Sequence, residues 1–217
     1  MQSRLKHPDT VIMVFAKAPV PGRVNTRLVP FVSAEQAAQL QTELIHDRLR
    51  ECTSSALCDV QLWCSPDTRH PCFVVCNSCY SLSLHQQQGA DLGERMAFGQ
   101  QQALQTYRKA VIIGTDAPAL KADAIEQAIL ALDRNQVVIT PAEDGGYVLI
   151  GVNGLIPGLL VDIEWGMGQV LSQTIRNVDQ LGLRYELLGE CWDIDRPEDL
   201  MRYRAMQSGT QYKRETL

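Results

Sequence analysis

The stretch Val11-Ile-Met-Val-Phe15, followed by the loop Ala18-Pro-Val-Pro-Gly-Arg-Val-Asn-Thr-Arg-Leu-Val-Pro30, indicates the fold class. Five consecutive apolar residues between polar and Pro/Gly-rich segments are typical of a strand buried on both faces of a parallel sheet. After the loop, Ser33 and Gln36 form a capping-box pattern, and an apolar stripe at helical spacing continues over residues 37–52. A buried strand that leads through a loop into a helix is the first half of a βαβ unit.

The same alternation of strand and helix continues to the end of the chain. Further strands are predicted over residues 60–64, 82–85, 110–114, 137–140, 147–152 and 185–188. Further helices are predicted from Pro71 and over residues 92–107, 122–132, 169–181 and 198–206. This order predicts an α/β fold, a mostly parallel sheet with helices on both faces, whose functional residues lie beyond the carboxyl ends of the strands. We predict a single domain over residues 1–207 and a polar, frayed tail over residues 208–217.

The overall composition excludes several classes of protein. The chain has 217 residues, of which 45% are hydrophobic, and its 20 basic and 25 acidic side chains leave a net charge of −5. This net negative charge argues against a nucleic-acid-binding surface but is compatible with a local phosphate-binding site. The apolar runs are too short to cross a bilayer, and no apolar signal segment precedes the first strand. We therefore expect a cytoplasmic protein without a membrane span.

Cationic side chains and glycine are concentrated in the loop after the first strand. Lys17, Gly22, Arg23 and Arg27 all lie in this short part of an otherwise acidic chain. Glycine allows a close backbone approach, and Lys and Arg donate charge-assisted hydrogen bonds to phosphate oxygens. The spacing matches neither the P-loop nor the dinucleotide-binding glycine pattern. We interpret the loop as a nucleotide-phosphate site; the alternative is a solvated loop with ordinary surface charges.

Carboxylates follow predicted extended segments at two distant points of the chain. Asp116 comes directly after the buried strand 110–114, and Asp193 and Asp195 alternate, so that both point to the same side of an extended segment. Asp116 paired with Asp195 would form a two-carboxylate site for Mg²⁺ or Mn²⁺, with a diphosphate as a further ligand. The alternative for each residue is a helix cap or a turn residue.

Two glycine-containing segments also lie at predicted strand ends. The segment 141–147 places a Gly-Gly pair between an acidic and an aromatic residue, which suits either a simple turn or contact with a sugar or phosphate. The segment 88–96 opens a helix with glycines and an amide side chain, a group that reads base edges. The candidate sugar- or acceptor-binding residues are Asp144, Gly145, Gly146 and Tyr147, and the candidate base-pocket residues are Gln88 and Gly93.

The cysteines have two interpretations. The spacing Cys72-x3-Cys76-x2-Cys79 matches the one by which radical-SAM enzymes hold an iron–sulfur cluster. The alternative, which we prefer, is a short helix opened by Pro71, on which the three thiols form one buried apolar stripe with Val75. Reduced thiols are expected in a chain without a secretory signal.

In this order, the motifs resemble a known bacterial family. Across roughly residues 11–203, the chain resembles the glycosyltransferase-like family called radical-SAM/selenodomain-associated transferase 1. The matching motifs are Phe-Ala-Lys-x-Pro-x-Pro-Gly-x-Val-x-Thr-Arg-Leu, Gly-x-Asp-Leu-Gly-Glu-Arg-Met, Gly-Thr-Asp-x-Pro, Asp-Gly-Gly-Tyr-x-Leu-Ile-Gly and Asp-Ile-Asp-x-Pro-Glu-Asp-Leu. The resemblance implies the nucleotide-diphospho-sugar transferase superfamily and a Rossmann-like GT-A fold with a mixed sheet.

Two more distant similarities and two departures accompany this resemblance. The basic loop and the Gly-Gly turn are similar to those of phospholactate guanylyltransferase, and the closing acidic segment is similar to that of molybdenum-cofactor guanylyltransferase. Asn25 stands where the family has Lys, which removes one phosphate contact. Met167 stands where the family has Thr and therefore lacks a hydroxyl.

Together these features predict a metal-dependent transferase that uses a nucleotide-activated donor, with a nucleotide-sugar glycosyltransferase as the leading hypothesis. Asp116 and Asp195 would hold Mg²⁺ or Mn²⁺, the basic loop would clamp the phosphates, and Asp144 would act at the sugar or acceptor. The first alternative is a nucleotidyltransferase, in which a phosphorylated acceptor attacks an NTP and releases pyrophosphate. The second is a non-catalytic nucleotide-binding module. The expected partners are a nucleotide sugar or NTP and a small-molecule acceptor, without nucleic acid.

Overall fold

The computed structural model describes residues 5–215, and it describes side chains through residue 209. The segment 1–4, on which part of the signal-peptide prediction rests, and the last two residues of the predicted tail lie outside the described residues. Within the described part, no helix combines the length and the apolar character that a bilayer span requires.

Strands and helices alternate as predicted. The strands are β1 (Thr10–Lys17), β2 (Asp59–Ser65), β3 (Ser83–Gln86), β4 (Lys109–Ile113), β5 (Val137–Pro141), β6 (Tyr147–Val152) and β7 (Tyr185–Leu187). The helices are α1 (Ala34–Ser54), α2 (Pro71–Tyr80), α3 (Leu92–Ala103), α4 (Ala122–Ala131), α5 (Val170–Gln180) and α6 (Pro197–Glu215). Two predicted helix ends are wrong: α3 stops at Ala103 instead of Tyr107, and α6 continues through the segment expected to be frayed.

The strands form one seven-stranded sheet in the order β3-β2-β1-β4-β6-β5-β7. Strand β6 runs antiparallel to both of its neighbours, and the other pairs are parallel. This topology confirms the predicted α/β fold with a mostly parallel, mixed sheet. The carboxyl ends of β1, β4 and β5 therefore share one edge with the amino end of β6, and their loops meet there.

Alternate residues of β1 face two separate parts of the core. Ile12 and Val14 belong to the cluster that includes apolar residues of α1 and α4, whereas Val11 and Met13 belong to the cluster that includes residues of α3 and α5. All four side chains are fully buried, and each contributes roughly 1.5–3 kcal/mol of transfer free energy. Burial on both faces explains why β1 has a continuous apolar run instead of an alternating pattern.

Hydrogen bonds begin helix α1 and connect it to the loop after β4. The Ser33 hydroxyl accepts from the Gln36 amide at 3.2 Å and the Ser33 amide donates to Gln36 Oε1 at 2.8 Å, which confirms the predicted capping box. Further along the helix, the buried Arg48 guanidinium donates to the carbonyl oxygens of Ala117 and Leu120, the latter at 2.6 Å. Helix α1 is thereby connected to the loop after β4.

Candidate active-site cleft

A cleft of about 460 Å³ opens at the edge where the loops after β1 and β4 meet the β5–β6 turn and the segment 165–167. Its charged lining residues are Lys17, Arg23, Arg27, Asp116, Asp144 and Asp193. Its apolar wall includes Phe15, Met96, Tyr147, Trp165 and Met167. A cavity of this size, with a few convergent charged groups beside an apolar wall, suits a small-molecule ligand. Most of the predicted phosphate and carboxylate residues are therefore neighbours.

The acidic side of the cleft combines two distant segments. The Ile194 amide donates to the carbonyl oxygen of Asp116 at 2.9 Å, which aligns the segment around Asp193 with the loop after β4. Burial raises the pKa of Asp116, with further contributions from the charges of Asp144 and Asp195. Burial, followed by the charges of Asp116 and Asp144, also raises the pKa of Asp193 to about 7. A bound cation would relieve this mutual repulsion.

Asp195, which the sequence pairs with Asp116, is not part of the cleft lining. It lies at the rim, where its Oδ2 is 2.5 Å from Nη1 of Arg27. The Nη2 atom of Arg27 also donates to the Gly166 carbonyl oxygen at 3.4 Å. In this arrangement Asp193, and not Asp195, lines the cleft together with Asp116 and Asp144, and Asp195 is paired with Arg27 of the basic loop.

The basic loop is anchored to α1 through Asn25. This residue has a left-handed backbone, with φ at 48°, and its Nδ2 donates to the Ala37 carbonyl oxygen at 3.0 Å and to Gln41 Oε1 at 3.3 Å. Gln41 in turn donates to the hydroxyl of Thr115 at 3.2 Å. The residue that replaces the lysine of the resembled family thus connects the basic loop to α1 and, through Gln41, to the loop after β4.

The β5–β6 turn depends on its glycines. Asp144 Oδ1 accepts from the Gly146 amide at 2.8 Å, which closes the turn. Gly145 has a φ of 86°, and a side chain there would collide with the carbonyl oxygen of Gly168. Only glycine fits this position. The turn presents Asp144 to the cleft and keeps the segment around Gly168 close to it.

An aromatic pair forms part of the apolar wall. The rings of Tyr147 and Trp165 pack edge to face with centroids 6.4 Å apart. Burial raises the pKa of the Tyr147 phenol. Gly93 packs against Trp165, because a Cβ at this glycine would approach the indole ring to 2.9 Å. Gly93 therefore influences the cleft through Trp165 and does not line it.

Two further predicted residues also lie outside the cleft lining. Gln88 faces a separate depression together with Trp63 and His85, because it follows the edge strand β3. Its neighbour Gln87 instead points toward the strand ends and donates to the Trp63 carbonyl oxygen at 2.8 Å. Gly22 has a φ of 74° with open space around its Cα, so it shapes the basic loop. The expected base pocket at Gln88 and Gly93 is thus not part of the cleft.

Two supporting residues were missed by sequence reasoning. Gln41 and Arg48 are buried, and they connect α1 to the loops after β1 and β4. Their positions continue the spacing of the buried residues Ala37 and Leu44 along the helix. Polar side chains at core-facing helical positions were the signal, because such groups are retained only where they have hydrogen-bond partners.

Comparison with solved structures places this fold among known transferases. A protein from Desulfovibrio desulfuricans G20 with the provisional name nucleotide-diphospho-sugar transferase is 29% identical, with a TM-score of 0.79 over 87% of this chain and 83% of that one. A nucleotidyl transferase from Methanothermobacter thermautotroptrophicus is 16% identical, with a TM-score of 0.62 over 93% and 98% of the chains. The 4-diphosphocytidyl-2C-methyl-D-erythritol synthase from Anaerococcus prevotii DSM 20548 is 10% identical, with a TM-score of 0.65 over 93% and 99%.

Sequence comparison identifies the family. No curated protein matches the chain. The 29% identical structure and the family match described next support the nucleotide-diphospho-sugar transferase superfamily. The narrower radical-SAM/selenodomain-associated family stays a prediction. One family model, described as "Uncharacterized protein conserved in bacteria (DUF2064)", matches residues 48–167, from the middle of α1 to the segment beside the cleft. Because this match covers more than half of the chain, the protein belongs to the DUF2064 family.

Proposed function

We propose that the protein is a transferase that uses a nucleotide sugar as its donor and Mg²⁺ or Mn²⁺ as its cofactor. The observation that carries the proposal is that three carboxylates and three cationic side chains line one cleft. A nucleoside diphosphate group requires both kinds of residue: cationic donors for its oxygens, and carboxylates that hold a divalent ion against them. The family and the fold agree with a transferase of this superfamily.

The carboxylates fit a hard divalent cation. Carboxylate oxygens are ligands that Mg²⁺ and Mn²⁺ prefer. Among the side chains that the structure describes, none forms an ion pair with Asp116 or Asp193, so their negative charge is available to a cation. We assign these two residues as the principal ligands, with Asp195 as a further ligand when it is released from Arg27. The cation supplies charge neutralisation for the departing nucleoside diphosphate.

The basic loop provides the phosphate contacts. Lys17 and Arg23 line the cleft, and within residues 5–209 neither belongs to an ion pair. Arg27 is held by Asp195 at the rim, which leaves Lys17 and Arg23 available to the donor phosphates. Two available cationic side chains suit a diphosphate better than a triphosphate. This balance favours a nucleotide sugar over an NTP.

The opposite wall suits the remainder of the donor and the acceptor. Trp165 and Tyr147 offer aromatic surface, and the exposed Asp144 carboxylate can accept hydrogen bonds from sugar or acceptor hydroxyl groups. We therefore assign the β5–β6 turn to the sugar or acceptor. Met167 contributes apolar area at this wall, where a threonine would contribute a hydroxyl.

A nucleotidyltransferase is the second candidate function. The observation that favours it is the number of cationic residues: if Arg27 leaves Asp195, three side chains surround the cleft, which would suffice for a triphosphate. In that reaction a phosphorylated acceptor attacks the α-phosphate of the NTP and pyrophosphate leaves. The two candidate functions differ in the product that is released.

The deciding experiment uses the metal-free protein with Mn²⁺ or Mg²⁺ and a matched panel of nucleotide sugars and NTPs. Ligand binding is followed by the rise in Tm, and turnover by release of nucleoside diphosphate or pyrophosphate. We expect a nucleotide sugar to raise the Tm more than the corresponding NTP, only with the cation present, and to be converted slowly to the nucleoside diphosphate. Preference for NTPs with pyrophosphate release would instead support the second function. Binding without turnover across acceptors would indicate a binding module.

Matched variants test the assigned residues. Asp193→Asn should abolish the cation-dependent part of the Tm shift, whereas Asp179→Asn, an exposed carboxylate of α5, should leave it unchanged. Asp195→Asn frees Arg27, so it should raise the affinity for the donor in the absence of the cation. Equal responses of the Asp193 and Asp179 variants would contradict the assignment.

A further inference from the structure

A cluster of thiols and an imidazole lies away from the cleft, between α1 and α2. We call His46, Cys72 and Cys76 the thiol–imidazole cluster. The ligand atoms of these three residues all lie within 4.8 Å of one another, and Cys76 Sγ is 3.9 Å from His46 Nε2. Cys76 is buried, and the other two residues are half-buried. Two structural elements thus bring together two soft sulfur ligands and one nitrogen ligand.

The arrangement corrects the interpretation of the cysteine motif as one buried helical stripe. Cys79 is exposed and does not belong to this group, and Val75 is half exposed, so the three cysteines do not form one buried stripe. The buried residues of α2 are Phe73 and Cys76. The third member of the cluster is His46, which the sequence places 26 residues before the first of these cysteines.

Tyr80 orients the imidazole of His46. The Tyr80 hydroxyl oxygen lies 3.1 Å from the carbonyl oxygen of His46 and 3.1 Å from its Nδ1. When the hydroxyl donates to the carbonyl oxygen, it accepts from the Nδ1 proton, and the lone pair is then on Nε2, the atom that faces Cys76. Metal-binding histidines are oriented in the same way, by a hydrogen bond from the nitrogen that does not bind the metal.

We propose that His46, Cys72 and Cys76 form a binding site for one Zn²⁺ ion, with a water molecule as the fourth ligand. Tetrahedral zinc with bonds of ~2.3 Å to sulfur and ~2.0–2.1 Å to nitrogen separates its ligand atoms by about 3.6–3.8 Å. The ligand atoms of the cluster, which lie within 4.8 Å of one another, would need to approach by at most about 1.2 Å to reach that separation, a movement that side-chain rotation can provide. Binding transfers the two thiol protons to solvent.

The surroundings of the cluster support this assignment. His46 also lines a surface depression between α1 and α6, so one ligand of the cluster is accessible from the surface. Mixed sulfur and nitrogen ligands select zinc over the hard cations that suit the cleft. The protein would therefore hold two cations of different chemical class.

Cobalt is the spectroscopic probe for this site. Untagged, reduced protein is freed of metal with a chelator and titrated with Co²⁺. Thiolate ligands give a near-ultraviolet charge-transfer band, whereas carboxylates do not. We expect this band to saturate at one equivalent of Co²⁺ and to disappear when Zn²⁺ is added. Absence of the band from the wild-type protein would overturn the proposal.

Variants identify the ligands. Cys72→Ser and Cys76→Ser should each remove the charge-transfer band or halve it, and His46→Gln should weaken cobalt binding by about 10- to 100-fold. Cys79→Ser, on the exposed face of the same helix, is the matched control and should leave the titration unchanged. Because Cys76 is fully buried, its variant can lose stability, so Cys72→Ser and His46→Gln carry the test. A band that depends on Cys79, or that survives Cys72→Ser and His46→Gln unchanged, would contradict the assignment.

Discussion

The carboxylates of the cleft and the thiol–imidazole cluster are two groups of ionisable side chains with different supports. Asp116, Asp144 and Asp193 come from loops at the strand ends. The Ile194 amide donates to the Asp116 carbonyl oxygen, and Asp144 accepts from Gly146 within its own turn. The thiol–imidazole cluster instead belongs to two packed helices, where Cys72 and Cys76 are one turn apart. Loop-borne ligands can move when a donor arrives, and helix-borne ligands keep their spacing. The first arrangement suits turnover, and the second suits a permanently bound ion.

The two groups also differ in how they affect the stability of the folded protein when no cation is bound. A thiol can keep its proton at neutral pH, so the cysteines need carry no charge. In the cleft, burial and neighbouring carboxylates raise the pKa of Asp116 and of Asp193, so their ionised forms are destabilised in the folded protein. The absence of a cation therefore destabilises the cleft and has little effect on the helix pair. Variants that separate these effects test the comparison.

The largest effect is expected for Asp116→Asn. If Asp116 holds the cation against the donor phosphates, its loss removes charge stabilisation at the reacting group and should lower kcat/KM by about 100- to 1,000-fold. Steady-state kinetics with the donor found in the panel would measure the change. Asp179→Asn, which changes an exposed carboxylate on α5, is the control. A loss of less than tenfold would place the cation elsewhere.

Arg48→Met tests the connection between α1 and the cleft. The guanidinium satisfies the carbonyl oxygens of Ala117 and Leu120, and removing it leaves these acceptors unpaired in a buried region. We expect the free energy of unfolding to fall by about 2–4 kcal/mol, measured by urea denaturation. Arg50→Met is the matched control, because Arg50 lies on the same helix in an exposed ion pair with Asp47 and should change stability by about 0.5 kcal/mol or less.

Asp193→Asn should change the pH dependence of stability in the cation-free protein. Because its pKa is raised to about 7 in the folded state, the folded protein binds a proton more tightly than the unfolded chain does. The destabilisation is therefore complete above pH 7 and disappears as the pH falls toward the unfolded pKa, ~3.9. Since Asp193 is only partly buried, we expect the variant to be more stable by about 1–2 kcal/mol at pH 8 and by almost nothing at pH 4.

Adding the cation should reverse that ranking. Mg²⁺ or Mn²⁺ stabilises the wild-type protein at pH 8 by mass action and stabilises Asp193→Asn much less. Thermal melts in chelator and in excess cation, at both pH values, measure the four conditions. A variant that is less stable than the wild type in chelator at pH 8 would show that Asp193 is not under electrostatic strain.

The comparison also explains which parts of the site could be predicted from the sequence. Strands buried on both faces and the capping box at Ser33 are local patterns, and they gave the element order and the edge where Lys17 and Asp116 meet. Whether Asp193 or Asp195 lines the cleft depends on the ion pair between Arg27 and Asp195, two residues that are far apart in the chain. No local pattern contains it.

The sequence also did not show which residues of the short helix α2 are buried. The spacing of Cys72, Cys76 and Cys79 allows one helical stripe, but the packing of α2 on α1 decides which side is buried. In the structure Cys79 is exposed, and the residue that lies beside Cys76 is His46 of α1. In the same way, Gln88 follows an edge strand, so its distance from the cleft depends on the strand order and not on the motif that contains it.

The smallest effect is expected at Asn25. Its substitution measures how much the hydrogen bonds between the basic loop and α1 contribute to stability and to donor binding. Asn25→Gly loses the hydrogen bonds to Ala37 and Gln41 but can still adopt the left-handed backbone. Asn25→Ala loses the same hydrogen bonds and is also strained in that backbone conformation. Glycine adopts this conformation freely, and another residue pays roughly 1 kcal/mol. We therefore expect unfolding free energies to fall by about 0.5–1 kcal/mol for Asn25→Gly and by about 1–2 kcal/mol for Asn25→Ala, from urea denaturation. Donor binding should weaken in both variants, because the anchor positions Arg23 and Arg27. Equal stabilities of the two variants would mean that the loop relaxes to another backbone conformation, and the cationic side of the cleft would then be adjustable rather than preformed.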